Sequence, residues 1–109
     1  MEAALQPIEV KYDKEYNPTV SGRDLHSVLK IETPYTIWFQ RMIEYGFSDG
    51  TDYVTFLLDR SDGRAGKPRT DHQLSIDMAK QICMIQRSPE GRQYREYFLE
   101  VEKKWKKGR

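Results

Sequence analysis

Apolar positions along the chain change their spacing from two to three-and-four and back, and each change marks a new element. Ile8, Val10 and Tyr12 alternate with Glu9 and Lys11, which predicts a short half-buried strand. Asn17-Pro18 marks a turn. Ser21 opens a first helix through a capping box with Asp24, and Leu25, Val28 and Leu29 form one stripe that runs out near Lys30. Thr33 as N-cap and Pro34 at the first helical position start a second helix. Its wide apolar face is Tyr35, Trp38, Phe39, Met42 and Ile43, and Gly46 closes it in a left-handed conformation.

The period then falls to two. Residues 53–58, rich in β-branched and aromatic side chains, read as a strand. Residues 59–70 hold Gly63, Gly66 and Pro68 and almost nothing apolar, which predicts an exposed, mobile loop. A short strand near 70–74 pairs back across it. Ser75 caps a third helix that is apolar over most of its circumference and therefore belongs between other elements. Ser88-Pro89-Glu90 repeats the cap-and-proline signal and starts a fourth helix. That helix carries a stripe of Tyr94, Tyr97, Phe98, Val101 and Trp105, with Glu100–Lys104 and Glu102–Lys106 as outer pairs. The stripe reads as mostly core, and a part of it that meets another chain stays open as well. The predicted fold class is α+β: about four helices with a small antiparallel hairpin or three-stranded sheet. The first two helices have a helix-turn-helix-like layout.

Composition narrows the function classes. The chain has 109 residues, enough for one core. No apolar run approaches the about 18 residues of a membrane span. Cys83 is the sole cysteine, so no disulfide framework is available. The N-terminal residues show no secretory pattern, and an intracellular protein is expected. Eighteen Lys and Arg balance seventeen Asp and Glu, but unevenly. Residues 1–58 carry 5 basic and 9 acidic side chains, residues 59–86 carry 5 and 4, and residues 87–109 carry 8 and 4.

Candidate chemistry is sparse. His26, His72 and Cys83 lack the spacing of metal ligands. Asp71-His72 has no matching nucleophile and reads as structural, and Cys83 among Ile82, Met84 and Ile85 reads as a small hydrophobe. No phosphate loop or dinucleotide fingerprint is present. In a helix-turn-helix reading, Thr36, Gln40 and Arg41 of the second helix would meet base edges, and a hairpin tip with Arg60, Arg64, Lys67 and Arg69 would touch phosphates. Against it stand the net negative charge of that half and the single cation of that helix. A helical hairpin that only packs is the competing reading.

Four blocks in order resemble one family. They are Val20-Ser21-Gly22-Arg23-Asp24-Leu25-His26; Pro34-Tyr35-Thr36-Ile37-Trp38-Phe39; the run from Glu44-Tyr45-Gly46-Phe47 to Gly50-Thr51-Asp52-Tyr53; and Leu74-Ser75-Ile76-Asp77-Met78-Ala79-Lys80 with Gln86-Arg87-Ser88-Pro89-Glu90-Gly91-Arg92-Gln93 and Tyr97-Phe98-Leu99-Glu100-Val101-Glu102. Together, over about residues 20–105, they resemble the AntA/AntB antirepressor domain of bacteriophages and prophages. Gly22 and Tyr94 stand where the family usually has Ala, and the loop 59–70 does not align. Many relatives carry a further C-terminal domain, often of the KilA-C type.

The resemblance implies a domain over residues 20–107 behind an N-terminal arm, residues 1–19, that bears the short strand. It implies a regulator in the bacterial host's cytoplasm that binds a phage repressor protein, keeps it off its operator and releases lytic genes. No cofactor, metal or catalysis is implied, and no membrane. Similarity to the Bro-N and KilA-N domains, regarded as DNA-binding, keeps nucleic acid as the alternative partner. The expected protein contacts lie on the exposed side of the last helix, at Arg92, Tyr94, Arg95 and Lys104, with Arg64, Lys67 and Arg69 as a second group. A symmetric dimer through the last helix is a further expectation.

Overall fold

A computed structural model of the chain describes residues 6–58 and 69–108. Eight elements follow one another: β1 (Val10–Tyr12), β2 (Pro18–Ser21), α1 (Gly22–Val28), α2 (Tyr35–Ile43), β3 (Tyr53–Leu58), β4 (Arg69–Ser75), α3 (Ile76–Gln86) and α4 (Pro89–Lys107). The four strands form one antiparallel sheet in the order β1-β2-β4-β3. The α+β class is as expected. The sheet has one strand more than the larger of the two expected sheets. Of the predicted loop, 59–68 lie outside the described residues, and Arg69 and Thr70 belong to β4.

The extra strand is β2. Its four residues are too few to show a period of their own, and Pro18 disguises them as a turn. The turn itself lies just before it, where the Asp13 carboxylate accepts from the amides of Glu15 and Asn17, both at 2.9 Å. Those bonds, the one from Asn17 first, hold the Asp13 carboxyl below the usual range. Val10 pairs with Val20, which pairs in turn with Leu74, so these three side chains share one face of the sheet. Tyr12, expected half-buried, is exposed because it lies near the end of a short edge strand.

The helices obey their caps. Ser21 Oγ accepts from the Asp24 amide at 3.1 Å, Ser75 Oγ from Met78 at 3.1 Å and Ser88 Oγ from Gly91 at 3.0 Å. Three local expectations are corrected. Pro34, not Thr33, is the N-cap of α2, and the Thr33 carbonyl bonds instead to His26 Nε2 at 2.6 Å. Glu102 pairs with Lys80 of α3 at 2.9 Å rather than with Lys106, which ties the last two helices together. Lys103 takes Glu100 at 3.6 Å in place of the expected Lys104.

The core lies between the helices and the sheet. Val20, Leu25, Leu74, Met78, Ile82, Cys83 and Phe98 are its most deeply buried side chains. α3 runs through its middle, as its apolar circumference requires. α4 lies close against α3 because residue 91 is glycine: a Cβ there would stand 2.5 Å from the Cys83 carbonyl oxygen.

Candidate functional site

α3 ends at Arg87, whose backbone is left-handed (φ 53°, ψ 31°), and the Ser88 cap with Pro89 starts α4 at once. This corner sets the last turn of α3 beside the first two turns of α4. Between them lies an open groove of about 960 Å³ lined by Met84, Arg87, Pro89, Arg92, Arg95 and Glu96, among others. Inward-facing Gly91, Tyr94 and Phe98 are buried, which turns Arg92 and Glu96 outward. Met84 is 56 % exposed on the other bank.

Three guanidinium groups stand against one carboxylate along this lining. Among the described residues, no side-chain hydrogen bond or ion pair engages any of the three. A planar guanidinium binds carboxylates through paired hydrogen bonds, and methionine adapts to irregular apolar shapes. The groove therefore suits an acidic protein surface with a small apolar projection.

The expected contact residues are only partly brought together. Arg92 and Arg95 meet in the groove. Lys104 is exposed, but it sits about 18 Å further along the helix and about 120° round it. Tyr94 is corrected outright: it is 2 % exposed, and its hydroxyl donates to the Gln6 carbonyl at 2.5 Å. It lies on the same stripe as Phe98, so the core claims it. Arg69 is exposed on β4, in a separate hollow with Glu9, Arg23 and Asp24. Arg64 and Lys67 lie outside the described residues. Thr36, Gln40 and Arg41 are all exposed on α2, beside a half-exposed Ile37.

Sequence reasoning missed Arg87, Met84 and Pro89. Arg87 carries a usable signal, being the residue between the end of one helix and the cap of the next. The aromatic stripe of α4 is divided: Tyr94 and Phe98 are buried, and Tyr97, Val101 and Trp105 are partly buried. Trp105 Nε1 donates to the Tyr16 carbonyl at 2.5 Å, which pins the β1–β2 turn to the helix.

The Asp71-His72 pair is a structural hub. Asp71, 3 % exposed, accepts from Ser21 Oγ at 2.6 Å and from the amides of Arg23 at 3.0 Å and His72 at 2.7 Å. It thus adds a second acceptor at the start of α1, taking the Arg23 amide beside the Asp24 amide that Ser21 Oγ takes. The expected return bond from the Asp24 carboxylate to the Ser21 amide is not formed among the described residues. His72 Nδ1 bonds to the Tyr35 hydroxyl at 2.6 Å, and its ring stacks on Phe39 with centroids 3.8 Å apart. Burial pushes the Tyr35 hydroxyl far up, and pushes the Cys83 thiol up to about 12, which leaves that thiol un-ionised. Among the described residues, no group of three or more His, Cys, Asp or Glu converges as a metal site, and no helix is long and apolar enough to cross a membrane.

The fold and groove define a small α+β domain with an arginine-lined concave surface. The family model for the AntA/AntB antirepressor matches residues 20–88, well over half the chain, and the chain belongs to that family. The family is regulatory rather than enzymatic, and its kind of partner is a protein. The matched segment includes the hub and the α3 bank of the groove. Searches among curated proteins and among solved structures give no match.

Proposed function

We propose that this domain is a phage antirepressor that acts in the host cytoplasm by binding a repressor protein, keeping it from its operator and so releasing lytic genes. The α3–α4 groove is the contact surface, with Arg87, Arg92 and Arg95 taking carboxylates and Met84 and Pro89 the apolar projection. The observation that supports this reading is the set of three unengaged guanidiniums around one concave surface, in a chain of an antirepressor family. The partner is shifted only by differential affinity, so the groove must hold the repressor more tightly in its DNA-free state.

The test is release of the co-resident repressor from a labelled operator by the purified protein, without retardation of that DNA by the protein itself. R92E/R95E is expected to need at least about tenfold more protein for the same release, equivalent to about 1.4 kcal/mol of binding. Absence of release at large excess defeats the proposal. Direct DNA retardation that weakens steeply with salt, and is lost in Q40A/R41A, would favour the nucleic-acid reading through α2.

A further inference from the structure

The two edges of the sheet differ. β1 has three residues with Lys11 at its centre and Glu9 and Asp13 on either side. Edge strands are ordinarily kept from pairing with other chains by being short and charged, or by proline or bulges. β3 has none of these protections. Its six residues, Tyr-Val-Thr-Phe-Leu-Leu, carry no charge and no proline, and all six pair in continuous register with β4 on the inner side. Among the described residues, only Tyr53 is occupied on its outer side: its carbonyl accepts from the Gly50 amide at 2.7 Å, and Asp49 bridges to it. The backbone of residues 54–58 makes no hydrogen bond to any described residue outside β4. Val54 is 49 % exposed and Leu57 65 %, on opposite faces of the strand.

We propose that β3 is the interface between two copies of this chain, joined as an antiparallel β3–β3 pair in one continuous sheet. The occupant is argued from register and charge. A two-fold axis that reverses an edge strand onto its own copy runs normal to the sheet, so both copies keep the same face upward. Side chains alternate faces, so residue i can stand opposite residue j of the second copy only when i + j is even. The pairing that uses all of residues 54–58, and leaves the occupied Tyr53 out, centres on Phe56. It sets Phe56 opposite Phe56, Val54 opposite Leu58 and Thr55 opposite Leu57. Every pair joins uncharged side chains, so nothing repels the copy, and the two exposed apolar residues each gain a cross-strand neighbour on their own face, Val54 from Leu58 and Leu57 from Thr55. This inference is independent of the repressor-binding reading and of the α4 surface.

The wild-type chain should sediment at twice its 12.9 kDa mass as concentration rises. L57K, which alters a mostly exposed side chain, should remain at single mass with unchanged far-UV circular dichroism, and with unchanged Tm at dilutions where the wild type is also at single mass. Under mild oxidation F56C should link into a disulfide dimer and T55C should not, because directly opposed Cβ atoms lie only about 5 Å apart. The buried Cys83 does not compete. A wild-type chain that stays at single mass at the highest concentration reached overturns the proposal. So does an L57K chain that still doubles, or preferential linking by T55C. A β3 edge that becomes protected from hydrogen exchange only when repressor is added transfers the edge to that partner and overturns self-pairing.

Discussion

At the α1–α2 corner, Arg23 donates to the Thr70 carbonyl at 2.6 Å and lies over the Tyr35 ring at 4.4 Å, while Asp71 gathers donors from α1 and β4. At the α3–α4 corner, Arg87, Arg92 and Arg95 engage nothing among the described residues, and the helices are held by close backbone approach at Gly91 and by buried Tyr94 and Phe98. The same residue type serves two purposes. One corner commits its arginine and its carboxylate to internal hydrogen bonds, and its stability therefore depends on charge. The other is sterically closed, so its cations are not needed to hold the corner together, as the proposed repressor contact requires.

The largest effect should come from removing the carboxylate of the first corner. D71A leaves Ser21 Oγ and the Arg23 and His72 amides without their acceptor, and should lower unfolding free energy by about 3 kcal/mol in urea titrations. R92A/R95A at the second corner should change it by less than about 0.5 kcal/mol. A double variant as destabilised as D71A would break the comparison.

Next comes the steric side. In G91A the new methyl meets the Cys83 carbonyl, a backbone group that cannot turn aside, and the expected loss is about 2 kcal/mol. G22A meets the Tyr35 hydroxyl and the adjoining ring carbons, a side chain rather than backbone, and should cost less while breaking the Tyr35–His72 bond as that ring shifts. The two glycines thus sharpen the contrast: one substitution blocks helix approach, and the other disturbs the polar hub.

The smallest effect is on pH dependence, and it belongs to the hub alone. Burial, aided by Arg23 and opposed by Asp71, holds the His72 imidazole below its ordinary value of 6.5. As pH falls, the unfolded chain takes up the proton first, so the neutral, folded form loses ground. Stability should be complete above about pH 6.5 and decline below it, as Tm measured from pH 7.5 to 5.5 would show. H72F should flatten that slope, and R92A/R95A should leave it unchanged.

Helix starts were legible because caps act within one turn. Ser21, Ser75 and Ser88 needed only their own next three residues, and Gly46 takes the expected left-handed turn with φ 108°. The strand at residues 53–58 showed itself by composition. β2 did not, since four residues with a proline carry too little pattern and become a strand only when β1 and β4 flank them. The candidate groove was half legible: Arg92 and Arg95 were picked out, but Tyr94 was placed on the wrong side. An aromatic residue on a helix reads alike whether it faces a partner or a neighbouring segment, and here Gln6, far away in sequence, takes its hydroxyl.

By itself, then, the sequence determined the order and type of most elements, the buried character of α3 and the excess of cations toward the end of the chain, because each depends on residues within a turn or two of one another. Only the tertiary structure decided that Asp71 caps α1 from β4, that Glu102 belongs to Lys80, that Arg87 joins Arg92 and Arg95 around one groove, and that the longer, uncharged β3 ends the sheet as one of its two edges. Those outcomes turn on which surface a distant segment covers, and that is settled only when the sheet and helices close on a common core.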